Sequence, residues 1–160
     1  MRTLGTALLA SILLAGCAVN TRGSGTFYPE PGWRGRLQVQ VYSDPSQSMS
    51  AAFELLGSAD RGRLSLTSPL GTTLAEVQWT PLDAQWRTAT ETRHFASMDQ
   101  LTEQLLGTSL PLAALFDWLQ ARPTSALGWE ADLQDLPQGR LRAQRTHPAP
   151  QAQLRIVLEP

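Results

Sequence analysis

The chain has 160 residues, with 13 basic and 14 acidic side chains, a formal net charge of −1 and one cysteine. This near-neutral balance, without a basic block, argues against a nucleic-acid-binding protein, and a single cysteine has no partner in the chain for a disulfide. The length suits one domain with a hydrophobic core of its own.

The first 16 residues are typical of a signal peptide. Arg2 supplies a positive start, and the uncharged, mostly apolar stretch from Leu4 to Ala15 has 12 residues. A bilayer core of roughly 30 Å needs about 20 residues, so this stretch is too short to span it. It ends in "LAGC", residues 14–17, which matches the lipobox of bacterial lipoproteins.

The lipobox predicts that Cys17 becomes the first residue of the mature chain and carries acyl chains. Several acyl chains, at about 0.8 kcal/mol per buried CH₂, would anchor the protein to a membrane. Residue 18 is alanine rather than aspartate, which favours the outer membrane in Gram-negative sorting. An ordinary secretory signal with a stray cysteine and an uncleaved anchor are the alternatives.

Residues 17–33 are rich in Gly, Pro, Ser and Thr, and we predict a lipidated, flexible tether there, followed by one folded domain over 34–160. From Arg36 apolar and polar residues alternate with period two, which indicates antiparallel strands with one solvated face. Strands are predicted over 36–43, 49–57, 62–68, 75–79, 85–89 and 93–96.

The pattern in the middle of the chain changes to helical spacing. Ser97 and Gln100 have the spacing of a capping box, and Gly107 is a suitable C-terminal stop, so a helix is predicted between them. A second helix is predicted from an N-cap at Ser109 to a stop at Pro123.

Period-two alternation returns over 129–134, 139–147 and 152–160. The order of strands, two helices and strands predicts an α+β fold, in which one curved antiparallel sheet carries two short helices on its apolar face.

One predicted turn has an unusual composition. Ser68, Pro69 and Gly71 are typical turn residues, but Leu70 occupies the tip, where a polar residue is expected. Leu70 either contacts something outside the domain or folds back onto the sheet.

Catalytic motifs are missing from the sequence. There is no G-x-S-x-G elbow or Gly-rich phosphate loop, and His94 and His147 have no His or Cys neighbour at metal-ligand spacing. We therefore predict no enzyme activity, no cofactor and no metal site. A polar cluster of Glu91, Arg93 and His94 is the remaining catalytic candidate.

The predicted domain is rich in large apolar side chains, among them five tryptophans. A curved sheet under helices can enclose an apolar cavity, although any one of these residues is more often part of a solid core than a ligand contact. The candidate cavity residues are Val39, Phe53, Leu55, Leu64, Leu66, Val77, Trp79, Leu115, Phe116, Trp118 and Trp129.

Two segments, "RLSLTSPLGTTLAEVQW" (63–79) and "LLGTSLPLAALFDWLQARP" (105–123), resemble the LolB family. The family has an S/N-P-L-G turn between two alternating strands, then L-x-G-x-x-x-P-L/I and a helix ending near W-x-x-G/A-x-P. These motifs correspond to residues 68–71, 106–112 and 118–123. The family usually has a helix before the first strand and a longer C-terminal part, so we expect fewer strands here.

The resemblance implies a LolA/LolB-like half-barrel sheet, helices in its concave face and an acyl-binding cavity. It also implies a membrane-insertion loop at Pro69, Leu70 and Gly71. The implied protein is a monomeric, lipid-anchored receptor in the outer membrane, facing the periplasm. It takes lipoprotein cargo by its acyl chains from a LolA-type periplasmic carrier and inserts the cargo into outer-membrane lipid. A structural or lipid-binding lipoprotein of the same fold, without transfer activity, is the alternative.

Overall fold

In the computed structural model, residues 32–160 are described. The predicted signal peptide, the lipidation site Cys17 and the predicted tether as far as residue 31 lie outside the described residues. Within 32–160 no helix is long and apolar enough to cross a membrane.

Nine antiparallel strands form one open, curved sheet. In chain order, β1 to β9 are Gly32–Tyr42, Gln47–Gly57, Gly62–Thr67, Thr73–Trp79, Ala84–Arg87, Thr92–Phe95, Trp129–Asp132, Arg140–Arg145 and Gln151–Leu158. Their spatial order is β6-β5-β4-β3-β2-β1-β9-β8-β7. Helices α1 (Met98–Leu106) and α2 (Leu112–Leu119) connect β6 to β7. Strands β7, β8 and β9 then bring the chain back, so that β9 pairs with β1. The predicted α+β fold is therefore confirmed.

Period-two alternation determines which face of the sheet is apolar. In β1, Val39 and Val41 are buried on the concave face, whereas Arg36 and Gln38 are exposed on the convex face. The same alternation continues through the paired strands, because side chains of directly opposed residues share a face. The core therefore lies between the concave face and the two helices.

The first strand begins at Gly32, four residues before the predicted start at Arg36, so two residues assigned to the tether belong to the sheet. A Cβ at Gly35 would lie 2.1 Å from the carbonyl oxygen of Val157 on β9. Glycine thus permits a close approach of two strands here. The ring of Trp33 packs edge-on against an aromatic ring of α2, with 5.5 Å between centroids.

Helix α1 spans Met98–Leu106, as predicted. The Ser97 hydroxyl accepts a hydrogen bond from the backbone N–H of Gln100 at 3.1 Å, and the Gln100 side chain accepts from the N–H of Ala96 at 2.8 Å. Gly107 ends the helix in the left-handed conformation, with φ of 72°.

Helix α2 spans Leu112–Leu119 and is shorter than predicted at both ends. Its N-cap position is Pro111 rather than Ser109, because the Ser109 hydroxyl donates to the carboxylate of Glu103 at 2.9 Å instead. The helix ends before Pro123, since the chain has already turned at Ala121, where φ is 61°.

Candidate functional site

A cavity of about 200 Å³ lies between the concave face of the sheet and the two helices. Twenty of its 21 lining residues are apolar, and a threonine is the exception. The wall is formed by Leu37, Val39, Met49, Phe53, Leu55, Leu64, Leu66, Val77, Trp79, Trp86, Met98, Leu101, Thr102, Leu105, Leu106, Leu110, Leu112, Leu115, Leu119, Leu154 and Ile156.

Eight of the eleven residues that sequence reasoning proposed for the cavity lie in this wall, seven on strands β1 to β4 and one on α2. The indole of the largest of them turns its polar edge away, since Trp79 Nε1 donates to the carbonyl of Ser58 at 3.0 Å. The eight are Val39, Phe53, Leu55, Leu64, Leu66, Val77, Trp79 and Leu115.

The structure places the other three, Phe116, Trp118 and Trp129, in solid packing outside the cavity wall. The rings of Trp118 and Trp129 lie 6.5 Å apart and are almost completely buried. Their indole N–H groups donate to the carbonyls of Thr124 at 2.7 Å and Ser109 at 2.9 Å respectively. These tryptophans therefore fix loops to the core.

One face of helix α1 forms part of the cavity wall. The residues of this face were not among those predicted from the sequence. Met98, Leu101 and Leu105 recur at helical spacing, the signal that would have identified this face. The one polar residue of the wall, Thr102, satisfies its hydroxyl internally. It donates to the carbonyl of Met98 at 3.1 Å and accepts from the N–H of Leu110 at 3.1 Å.

The connection between the helices is fixed to the sheet by a buried arginine. Arg145, on the concave face of β8, is 8% exposed and donates to the hydroxyl of the fully buried Thr108. Its Nε has no hydrogen-bond partner among the described residues.

The sheet has two ends, defined by its turns. The Gly32 end carries the start of β1 and the β2–β3 and β4–β5 turns. The opposite end, which we call the Leu70 end, carries the start of β7 and four turns. These turns are 43–46, 68–72, 88–91 and 146–150.

A cleft of about 130 Å³ extends the cavity toward the Leu70 end. It shares Val39, Met49, Leu105 and Leu106 with the cavity wall and adds polar residues at its outer limit, among them Gln47 at the start of β2. The shared residues thus place the cleft between the cavity and the Leu70 end of the sheet.

The β3–β4 turn holds Leu70 outward, with 94% of its surface exposed, so Leu70 does not fold back onto the sheet. The N–H of Gly71 donates to the carbonyl of Ser68 at 2.9 Å, and the Ser68 hydroxyl accepts from the N–H of Thr72 at 3.2 Å. Gly71 has φ of 82°, a conformation that glycine adopts without strain. Pro69, at the second position, is also exposed.

The polar cluster proposed as a catalytic alternative lies at the surface. His94 approaches the side chain of Gln85 at 3.4 Å, and Arg93 lies over the ring of Phe95, 5.1 Å from its centroid. Glu91 is exposed in the β5–β6 turn. Within residues 32–160 no three His, Cys, Asp or Glu side chains are grouped to hold a metal ion.

Asp117 has a structural rather than a chemical role. Hydrogen bonds from Arg122 (Nε at 2.9 Å) and Thr124 (Oγ1 at 2.8 Å) hold the pKa of Asp117 below its ordinary value. These bonds tie α2 to the loop that follows it.

An open antiparallel sheet that encloses an apolar cavity under helices defines a class of protein built around an internal apolar site. The model of the family described as "Outer membrane lipoprotein LolB" matches residues 32–155, and the chain belongs to this family.

Several relatives, each named outer-membrane lipoprotein LolB, support this assignment. The protein from Ralstonia nicotianae is 37% identical over 77% of this chain and 64% of its own length. The Sodalis glossinidius protein is 33% identical over 78% of this chain and 68% of its own length. The Bordetella petrii protein is 32% identical over 91% of this chain and 86% of its own length. The chain thus spans about two thirds of the length of the first two.

Proposed function

We propose that this protein is an outer-membrane-anchored receptor for lipoproteins. It accepts cargo from a LolA-type periplasmic carrier by binding the acyl chains in its cavity, and it then inserts the cargo into the outer membrane. The observation that carries the proposal is the almost wholly apolar cavity wall in a chain of the LolB family.

The chemistry of the wall suits acyl chains. An acyl chain offers no hydrogen-bonding group, and the hydroxyl of Thr102 is already occupied by backbone partners. Each CH₂ withdrawn from water contributes about 0.8 kcal/mol, so a long chain favours this cavity strongly over the periplasm.

The size of the cavity implies that the helices move when cargo binds. Typical ligand pockets measure about 300–1,000 Å³, whereas this cavity measures about 200 Å³ and accommodates only a segment of a chain as it stands. Helix α1, which forms one side of both the cavity and the cleft, is the element whose displacement would enlarge the space.

Release into the bilayer is assigned to the turn that carries Leu70, with acylated Cys17 as the anchor. The cleft leads from the cavity to the same end of the sheet as this turn. A leucine with 94% of its surface exposed is suited to enter lipid. Cargo then passes from the carrier to the receptor and on to the bilayer, because each binds the acyl chains more tightly than the one before. Each difference of about 1.4 kcal/mol gives a tenfold preference.

The proposed transfer makes and breaks no covalent bond, so it requires neither a catalytic group nor a cofactor. The receptor acts as a monomer that faces the periplasm. A lipoprotein of the same fold that binds lipid without transferring it is the competing function.

Vesicles that contain the full-length lipidated protein test the proposal. A LolA-type carrier loaded with a triacylated lipoprotein is added, and cargo that floats with the vesicles is measured. We expect transfer to vesicles with the protein and little to vesicles without it. Equal transfer to both would exclude the receptor function and leave the competing one.

A further inference from the structure

We propose that Leu127, in the turn before β7, forms a second contact with the bilayer at the same end of the sheet as Leu70. This inference rests on the proposed function and adds to it the surface by which the receptor meets the membrane. Three features of the turn support it: its backbone conformation, its exposure and its position.

The backbone of the turn is unfavourable for leucine. Leu127 and Gly128 have φ of 52° and 81°, and the N–H of Trp129 donates to the carbonyl of Ala126 at 2.8 Å. Two successive positive φ values in a two-residue hairpin are those of a type I′ turn, which favours Asn-Gly or Asp-Gly. Leucine adopts this left-handed conformation only at a cost, so folding alone does not favour it here.

The side chain gains little from the protein in return. Leu127 is 53% exposed, although its neighbour Trp129 is almost completely buried. A strained backbone that displays a half-exposed leucine points to a role for this side chain outside the domain.

The position of the turn connects it to the Leu70 end. The first residue of β7 pairs with Arg145, the last residue of β8, so the turn lies beside the β8–β9 turn. A Cβ at Gly128 would lie 1.4 Å from the carbonyl oxygen of His147 and 3.5 Å from the ring of Pro148, which shows how closely the two turns approach.

Leu70 and Leu127 lie at the same end of the sheet but are separated across its width. Strands β2, β1, β9 and β8 separate β3, which leads into the Leu70 turn, from β7. The cleft opens between the two turns, at the start of β2. Two contacts on either side of the opening would fix the sheet with the exit of the cavity toward lipid.

A bilayer is the occupant that fits these tips. The leucines are single exposed side chains on separate turns, with four strands between them, and a bilayer is a partner that can contact both at once. The chain also holds an internal comparison. Thr80-Pro81-Leu82-Asp83 is another Pro-Leu turn, and Leu82 is 87% exposed, but it lies at the Gly32 end.

Site-specific labelling tests the contact directly. With Cys17 acylated, Leu127→Cys, Leu70→Cys and Leu82→Cys each introduce the one free thiol for a nitrobenzoxadiazole label. The wild-type chain, which should not label, is the control for acylation. Each full-length variant is reconstituted into vesicles of phosphatidylethanolamine and phosphatidylglycerol, with and without brominated acyl chains.

We expect blue-shifted emission and quenching by brominated lipid at positions 127 and 70, and neither at position 82. Quenching at 70 without quenching at 127 overturns the inference, as does a response at 127 that appears only when the carrier is added. Cargo transfer by the unlabelled protein is measured in parallel. Transfer without quenching at 127 refutes this inference alone, whereas loss of transfer refutes the proposed function.

Leu127→Asn separates a membrane role from a folding role. Asparagine tolerates the left-handed conformation, so the midpoint of thermal unfolding should rise by about 2–4 °C. Transfer to vesicles should fall by about three- to tenfold, because half of a leucine side chain no longer enters lipid. A lower unfolding midpoint would show that Leu127 serves the fold, and the inference would then be wrong.

Discussion

Leu70→Glu tests the role of the β3–β4 turn with two separable readouts. The side chain is 94% exposed, so the substitution removes almost no packing, and the free energy of unfolding should change by less than about 0.5 kcal/mol. Binding of cargo delivered by the carrier should be unchanged, since Leu70 is not part of the cavity wall.

Release into vesicles should fall sharply. A leucine that enters lipid contributes about 1.5–3 kcal/mol, equivalent to about 10–150-fold, and a carboxylate at that depth adds a further penalty. The assay follows loaded carrier, receptor-bound cargo and vesicle-bound cargo separately, with urea unfolding in parallel. We expect cargo to accumulate on the receptor.

Leu82→Glu is the matched control, because it places the same charge on a similarly exposed Pro-Leu turn at the opposite end of the sheet. It should release cargo normally. The reasoning fails if Leu70→Glu unfolds like a core deletion, if it releases cargo at the wild-type rate, or if Leu82→Glu is equally defective.

Three further substitutions test structural roles in helix α2 and in the β3–β4 turn. Trp118→Phe removes the hydrogen bond to the Thr124 carbonyl and leaves a void in the core, because the indole is completely buried, so urea unfolding should show a loss of about 2–4 kcal/mol. Cargo binding should stay normal, because this side chain lies outside the cavity wall. Asp117→Asn should destabilise the protein at pH 7. Because Arg122 lowers the folded-state pKa of Asp117, the difference in the free energy of unfolding between the variant and the wild type should shrink as pH falls below about 4. Urea unfolding at pH 7 and at pH 3 measures this difference. Gly71→Ala meets no atom within 4 Å but has φ of 82°, so it should cost about 1 kcal/mol by backbone strain alone, measured by thermal unfolding.

Alternation along the chain was sufficient to predict all nine strands and their single apolar face, because solvent contacts one side of the sheet. It missed the start of β1, since Gly32 and Gly35 resemble linker residues in sequence. Only the structure shows that Gly35 is required by the approach of the Val157 carbonyl.

The cavity wall was harder to predict than the sheet. Helix α2 has apolar residues on nearly every side, so its sequence does not distinguish Leu115, which faces the cavity, from Phe116 and Trp118, which do not. That choice depends on how the helix is rotated against the sheet, a property of the tertiary packing. Helix α1 is amphipathic, and its Met98-Leu101-Leu105 face carried a signal that could have been used.

Photocrosslinking from adjacent positions of β3 tests most directly whether acyl chains occupy the cavity. Benzoylphenylalanine replaces Leu64, which lines the cavity, or Arg63, which lies on the convex face of the same strand. Carrier loaded with triacylated lipoprotein is added before irradiation, and a cargo without acyl chains is the control. We predict a crosslink to acylated cargo from position 64, little from position 63, and none with the unacylated cargo. Successful transfer with equal crosslinking from both positions, or with none from position 64, would contradict the account.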